Sequence, residues 1–283
     1  VTATLVQSAV SQLKGLGTIP VAAMRILSLA DDPSVTEERL HEALMLDPAL
    51  SSRVLKVVNS AFYRRQREIG SARDAIRLLG ISAVRNIAIA SSLNRLFRGG
   101  RAIEGFDAAA LWTHATAVAA LSRELAAACG KASPEEALLA GLLHDMGIIA
   151  EAQLWPNEFA VVVSAVAPPL SFRERERQQL GMAHDEMGEL LCRAWNLPAA
   201  FGAVCRHHHD VGEALCHGLA LPMIVHVADV LAASTGWGFS ATLERPAPNE
   251  DVLRYLGLAE PALAACMESA QASLSALTGM LAD

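Results

Sequence analysis

The sequence predicts an all-α protein made of two helical lobes. Apolar residues recur at i, i+3 and i+4 almost from end to end. The composition is 52% hydrophobic and only 5% aromatic, and its abundant Ala and Leu favour helix over strand. Helix-start and helix-stop residues fall where the apolar periodicity lapses.

The elements follow in order. A first helix is expected over residues 21–30, and a second over 36–46, with Ser34 ahead of Glu37 and Glu38 as its start signal. Asp47-Pro48 breaks that helix and opens the next, over 49–60, because Asp accepts backbone N–H bonds at a cap and Pro suits the first turn. Leu50, Val54, Leu55, Val57 and Val58 form its apolar face, and Asn59 near its end can bond the backbone of the following turn. Helices over 72–79 and 81–97 flank Gly80. Arg98-Gly99-Gly100-Arg101 reads as a linker, which divides the chain into lobes 1–103 and 104–283. The second lobe starts with a long helix over 108–129. The next, over 134–144, begins at Ser133-Pro134-Glu135-Glu136, where Pro suits the first position and the acids suit the helix dipole. Helices over 158–165, 172–180 and 184–195 come next. Leu197-Pro198 precedes one over 199–207, and another is expected over 219–234. Residues 235–249 hold two glycines and two prolines and read as a surface excursion before a helical pair, 250–255 and 261–281.

Charge and composition exclude several classes. The net charge is −7, unevenly spread: residues 1–100 carry about +5 and the rest about −12. Arg64, Arg65 and Arg67 are bunched, yet the whole chain repels nucleic acid at long range, so no nucleic-acid partner is expected. No apolar run reaches membrane-span length, and the first residues lack a basic export region. The five cysteines have no CxxC spacing and sit in apolar-periodic stretches, as buried free thiols do. A reducing cytoplasm suits them. The chain opens at Val1 without a methionine, as a segment cut from behind another domain would.

The chemistry gathers around His144-Asp145, where an apolar helix meets Gly147. An imidazole beside a carboxylate suits Zn, Mn, Fe or Ni. His114, His184, the run His207-His208-His209 and Asp229 lie on other expected helices, each able to aim one polar group inward, as helical bundles build metal sites. His226 is three residues before Asp229 and is expected to orient it. His41 and His217 fall outside the pattern and are expected at the surface. No GxSxG motif, phosphate-cradling glycine loop or Cys–His arrangement offers another chemistry.

Two groups of motifs resemble one family. Residues 47–61, DPALSSRVLKVVNSA, are followed by Ile69, Ala75-Ile76 and Leu78-Leu79-Gly80. The second group is Leu111-Trp112-Thr113-His114, the segment 141–147 (GLLHDMG), Gly181-Met182-Ala183-His184 and Trp195-Asn196-Leu197-Pro198. Together they resemble the HDOD family, signalling relatives of the HD-type phosphohydrolases. The resemblance implies that His114, His144, Asp145 and Asp229 match a four-ligand set for one metal. His184 and either His207 or His208 match the positions that complete a second, with Asp145 bridging; His208-His209 aligns equally well with the family's HH pair. One or two divalent ions (Fe, Mn, Ni or Zn) are implied as cofactors.

Departures from the related phosphodiesterases point away from turnover. Their HD-x-G-K lysine is Ile148 here, and their GYP-containing loop is replaced by Asp210-Val211-Gly212-Glu213. A glutamate used in a three-metal variant is Ala110. The resemblance therefore implies a signal-transduction output module that binds a partner protein or small ligand and answers to an upstream receiver domain. The alternative is a metal-dependent phosphohydrolase acting on cyclic dinucleotides or nucleotide phosphates. No catalytic residue is assigned.

Overall fold

The computed structural model describes residues 25–26, 29, 35–59, 68–97, 101–164, 170–244 and 247–282. Among these the chain is all-helical, as predicted; the one β feature is an isolated bridge between Ile103 and Phe106. Most of the first expected helix, Arg64, Arg65 and Arg67, and the linker residues 98–100 lie outside the described residues.

Helices α1 (Glu37–Met45), α2 (Pro48–Val58), α3 (Ala72–Leu79) and α4 (Ile81–Phe97) precede residue 103. Thr36 caps α1, its hydroxyl accepting from Arg39 N at 3.3 Å; Ser34 lies outside the described residues. Asp47 caps α2 as expected, accepting from Leu50 N at 3.0 Å. Asn59 acts at longer range than expected: its amide donates to the Ile69 carbonyl at 2.8 Å and its Oδ1 accepts from Ile69 N at 2.7 Å. One side chain thus ties the end of α2 to the backbone ten positions further on with a strand-like pair of bonds.

The remaining helices are α5 (Ala108–Cys129), α6 (Pro134–Leu143), α7 (Met146–Leu154), α8 (Pro156–Ser164), α9 (Phe172–Leu180), α10 (His184–Ala194), α11 (Ala199–His207), α12 (Val211–Cys216), α13 (Ala220–Ser234), α14 (Glu250–Leu256) and α15 (Glu260–Ala282). The sequence reading missed α7 and α12. Helix α7 is buried almost all round, so it shows no amphipathic stripe to detect. Helix α12 is a six-residue element, too short to build a period.

Helix α5 is the axis of the bundle. It is buried along most of its length and packs against α6, α13 and α15. Its contact with α6 is close because Gly141 has no side chain: a Cβ there would lie 2.6 Å from Ala119 Cα. Helix α15 reaches back onto α2 and α4, and one apolar core runs continuously across residue 103.

Two expectations need correction. Residues Pro134–Leu154 do reach membrane-span length and hydropathy, but they form two helices broken at His144-Asp145, and 89% of the apolar window is buried inside the fold. All five cysteines are free, but only Cys192, Cys205 and Cys266 are buried; Cys129 is half-buried and Cys216 is exposed.

Candidate metal centre

Six of the seven residues singled out as ligands converge where four helices and one helix junction meet. His114 lies in the second turn of α5, and His144 and Asp145 form the break between α6 and α7. His184 opens α10, His208 follows the last residue of α11, and Asp229 sits in mid-α13. All six are at most 3% exposed. Gly147 makes the convergence possible, since a Cβ on it would strike the carbonyl of His184. A larger residue there would push α10, and with it the His184 ring, away from Asp145.

The donor atoms form two groups, His114–His144–Asp229 and Asp145–His184–His208–His209. Asp145 joins them, one oxygen toward each. Its Oδ2 is 3.2 Å from His144 Nε2 and 3.9 Å from His114 Nε2. Its Oδ1 is 3.4 Å from His208 Nε2 and 3.5 Å from His184 Nε2. His114 Nε2 also lies 3.0 Å from Asp229 Oδ1. Ligand atoms about 2.1 Å from a shared tetrahedral cation stand roughly 3.4 Å apart, so these spacings suit one.

Hydrogen bonds behind the rings prepare them for that task. The Nδ1–H of His144 donates to the Gly141 carbonyl at 2.6 Å, and that of His208 to the Cys205 carbonyl at 2.8 Å. His114 Nδ1 faces the Trp237 carbonyl at 3.3 Å, and His184 Nδ1 faces Glu176 at 2.7 Å. Acceptors at Nδ1 fix a proton there and leave the Nε2 of each ring facing inward. The result is a set of buried polar atoms without hydrogen-bond partners: His144 Nε2, His208 Nε2 and both oxygens of Asp145. Buried groups of this kind are costly unless something binds them, and all four face one another. Imidazole and carboxylate donors without thiolate suit Zn, Mn, Fe or Ni. The residues present fit one or two divalent cations.

The electrostatics agree. Burial opposes ionisation of Asp145, but the imidazoles of His144, His208 and His184 win and hold its carboxyl well below the usual range. Asp229 is likewise lowered against burial, chiefly by His114. Burial also opposes charging of His184, yet Glu176 raises its pKa to about 9. His209 is pushed well below its ordinary value by burial and then by His208 and His184. His184 Nε2–H therefore donates to His209 Nε2, 3.0 Å away. His184 would have to give up that proton to ligate a cation, so uptake would release protons.

Three expectations shift. His207, the last residue of α11, is partly exposed and belongs to neither group. His208 and His209 are the pair that faces the centre, the second of the two alignments that the sequence left open. His226 does not orient Asp229: its Nδ1–H donates to the His208 carbonyl at 2.7 Å, and its Nε2 accepts from Asn249 N at 3.3 Å. Asp229 Oδ1 is engaged instead by His114 Nε2, at 3.0 Å. Glu176 and Glu151 escaped the sequence reading, because Glu176 meets His184 across the Gly181 turn and neither has a motif of its own.

A family profile for the HDOD domain matches residues 16–211. The chain belongs to the HDOD family. HDOD membership accounts for both motif groups, since the match spans the DPALSS segment and the centre up to His209. A curated relative from Treponema pallidum (strain Nichols), described as uncharacterized, is 22% identical over 218 residues; the chain spans 41% of that protein's length. Among solved structures, an HDOD domain protein of unknown function from Geobacter sulfurreducens is 24% identical, covers 98% of both chains and has a TM-score of 0.74. A Shewanella amazonensis protein named as a phosphohydrolase is 25% identical, covering 100% of this chain and 99% of its own, with a TM-score of 0.73. A Marinobacter aquaeolei protein named for signal transduction is 20% identical, covering 100% of this chain and 66% of its own, with a TM-score of 0.74.

Proposed function

We propose that this HDOD chain is a cytoplasmic signal-transduction output module. It binds a small ligand or partner protein without turning it over, under the control of an upstream receiver domain. The observation that carries this reading is the closure of the centre. The crevice that reaches it, lined by His209, His226, Asp229, Val230, Leu243 and Glu244, has a volume of about 10 Å³. That is about one water probe, against about 300 Å³ or more for small-molecule pockets. In this closed form no substrate reaches the centre, and a ligand enters only when the residues over it move. The position held by a lysine in related phosphodiesterases is Ile148, fully buried in the core, so it offers a phosphate no charge. The name of the Marinobacter relative supports a signalling role.

In this reading His114, His144, Asp145 and Asp229 hold one ion, and His184, His208 and His209 with Asp145 hold another. Divalent ions so held act as Lewis acids toward phosphoryl oxygens. The protein's own part is positional: Glu176 and the backbone carbonyls behind the rings keep four imidazoles aimed inward.

A second reading, a metal-dependent phosphohydrolase, is favoured by the position of Asp145 between two donor groups and by the name of the Shewanella relative. One experiment separates the two. Protein purified without chelator is assayed for metal by mass spectrometry and for hydrolysis of cyclic dinucleotides and nucleotide phosphates, beside Asp145→Ala. Bound metal without turnover is expected. Turnover that disappears in Asp145→Ala would replace the signalling reading with the enzymatic one.

A further inference from the structure

Residues 237–244 run from His114 to the mouth of the crevice, and the segment is built into the site. The Trp237 carbonyl is the partner of His114 Nδ1. Phe239 N donates to the Ala110 carbonyl at 3.1 Å, and the Phe239 ring packs edge-on against Phe106 and Phe172. Gly238, at φ +84°, lies so close to α5 that a Cβ would sit 2.5 Å from His114 N. The segment ends with Leu243 and Glu244 at the mouth of the crevice.

Glu244 faces Arg173 there, with Oε1 3.5 Å from Arg173 Nε. Among the described residues Arg173 has its other ion pair with Asp185, at 3.7 Å from the same nitrogen. Its side chain is 14% exposed, yet Nε and Nη1 have no hydrogen-bond partner. Asp185 is already engaged by Arg177 at 3.3 Å and Arg206 at 3.2 Å. A largely buried guanidinium whose charge reaches His209, and whose two neighbouring carboxylates leave Nε and Nη1 without a hydrogen bond, is a fork not filled by its present partners.

We propose that Arg173 is the anion-binding residue of this centre, that its ligand carries a phosphate group, and that Glu244 is an internal competitor that holds residues 237–244 closed over the site. This rests on the ligand-binding reading of the centre given above. It supplies the phosphate-gripping cation that Ile148 does not. Opening moves Glu244 away, leaving the guanidinium fork for a phosphoryl oxygen pair beside the His/Asp donors. Because the closing carboxylate and the ligand compete for one cation, ligand binding and opening are a single equilibrium.

The test uses the chain with whatever divalent ion it carries and inorganic phosphate as probe. Wild type, Glu244→Gln, Arg173→Gln and the double variant are titrated by calorimetry, with metal content measured in each. Hydrogen exchange of residues 237–244 is followed in parallel. Glu244→Gln is expected to tighten phosphate binding about tenfold, the effect of one competing charge at close range. It should also speed exchange of the Phe239 amide by about threefold or more. Arg173→Gln should abolish the gain with metal content unchanged. If Arg173→Gln fails to fold, Arg173→Lys keeps the charge, loses the fork and should forfeit most of the gain. Equal phosphate affinity in wild type and Glu244→Gln, or a gain that survives loss of Arg173, overturns the proposal even with metal bound. Arg173-dependent phosphate binding in a chain without metal supports the proposal and retires the metal reading alone.

Discussion

The carboxyl group of Glu151 has no exposed surface, and neither of its oxygens meets a donor. Burial first, then the charges of Glu176, Asp185 and Glu186, raise its pKa well above the usual carboxylate value. A folded pKa above the unfolded one gives stability that is present below the unfolded value and lost as pH rises through the folded one. Glu151→Gln removes that titration and presents an N–H toward Glu176. Its stability is expected to match wild type near about pH 4 and to exceed it by about 1 kcal/mol near pH 8, as read from denaturant melts at each pH. A variant less stable than wild type at the higher pH would contradict this. Asp145 behaves in the opposite sense. Its lowered pKa gives stability above the usual carboxylate range that is lost as pH falls through the folded value.

Gly147 and Asn59 show how single positions set the relation between helices. Gly147→Ala would drive a methyl into the His184 carbonyl at the contact between α7 and α10. It is expected to cost about 3 kcal/mol and to reduce metal content, measured by melting and mass spectrometry; a fully loaded variant of wild-type stability would sink this account. Asn59→Ala removes both bonds to the Ile69 backbone and leaves the centre untouched. A loss of about 2 kcal/mol with unchanged metal content is expected. Much of this level was legible. The caps Asp47 and Ser133, the break at Gly80 and the long helix of α5 stand in the sequence because they are local signals. Helix α7 does not, since burial on every side erases the stripe that marks a helix.

At the scale of the whole molecule, a cation that binds only the native state stabilises it by linkage. At a hundredfold excess over Kd this amounts to about 3 kcal/mol, or roughly 5–10 °C in Tm for a chain of this size. Chelator is therefore expected to lower the Tm of wild type and leave Asp145→Ala unchanged; equal response in both would exclude ligation by Asp145. The sequence by itself determined the helical class, the family and the kinds of donor at the centre, because periodicity, caps and adjacent motif residues are properties of short segments. The tertiary structure decided which donors meet. His207, His208 and His209 differ by about 100° per residue around a helix that ends among them, so only the docking of α11 on α13 turns His208 and His209 inward and leaves His207 outside. It also decided that Glu176 backs His184, that His226 supports the His208 carbonyl, and that Glu244 meets Arg173. Those pairs join separate elements, and their geometry depends on how whole helices pack rather than on any pattern along the chain.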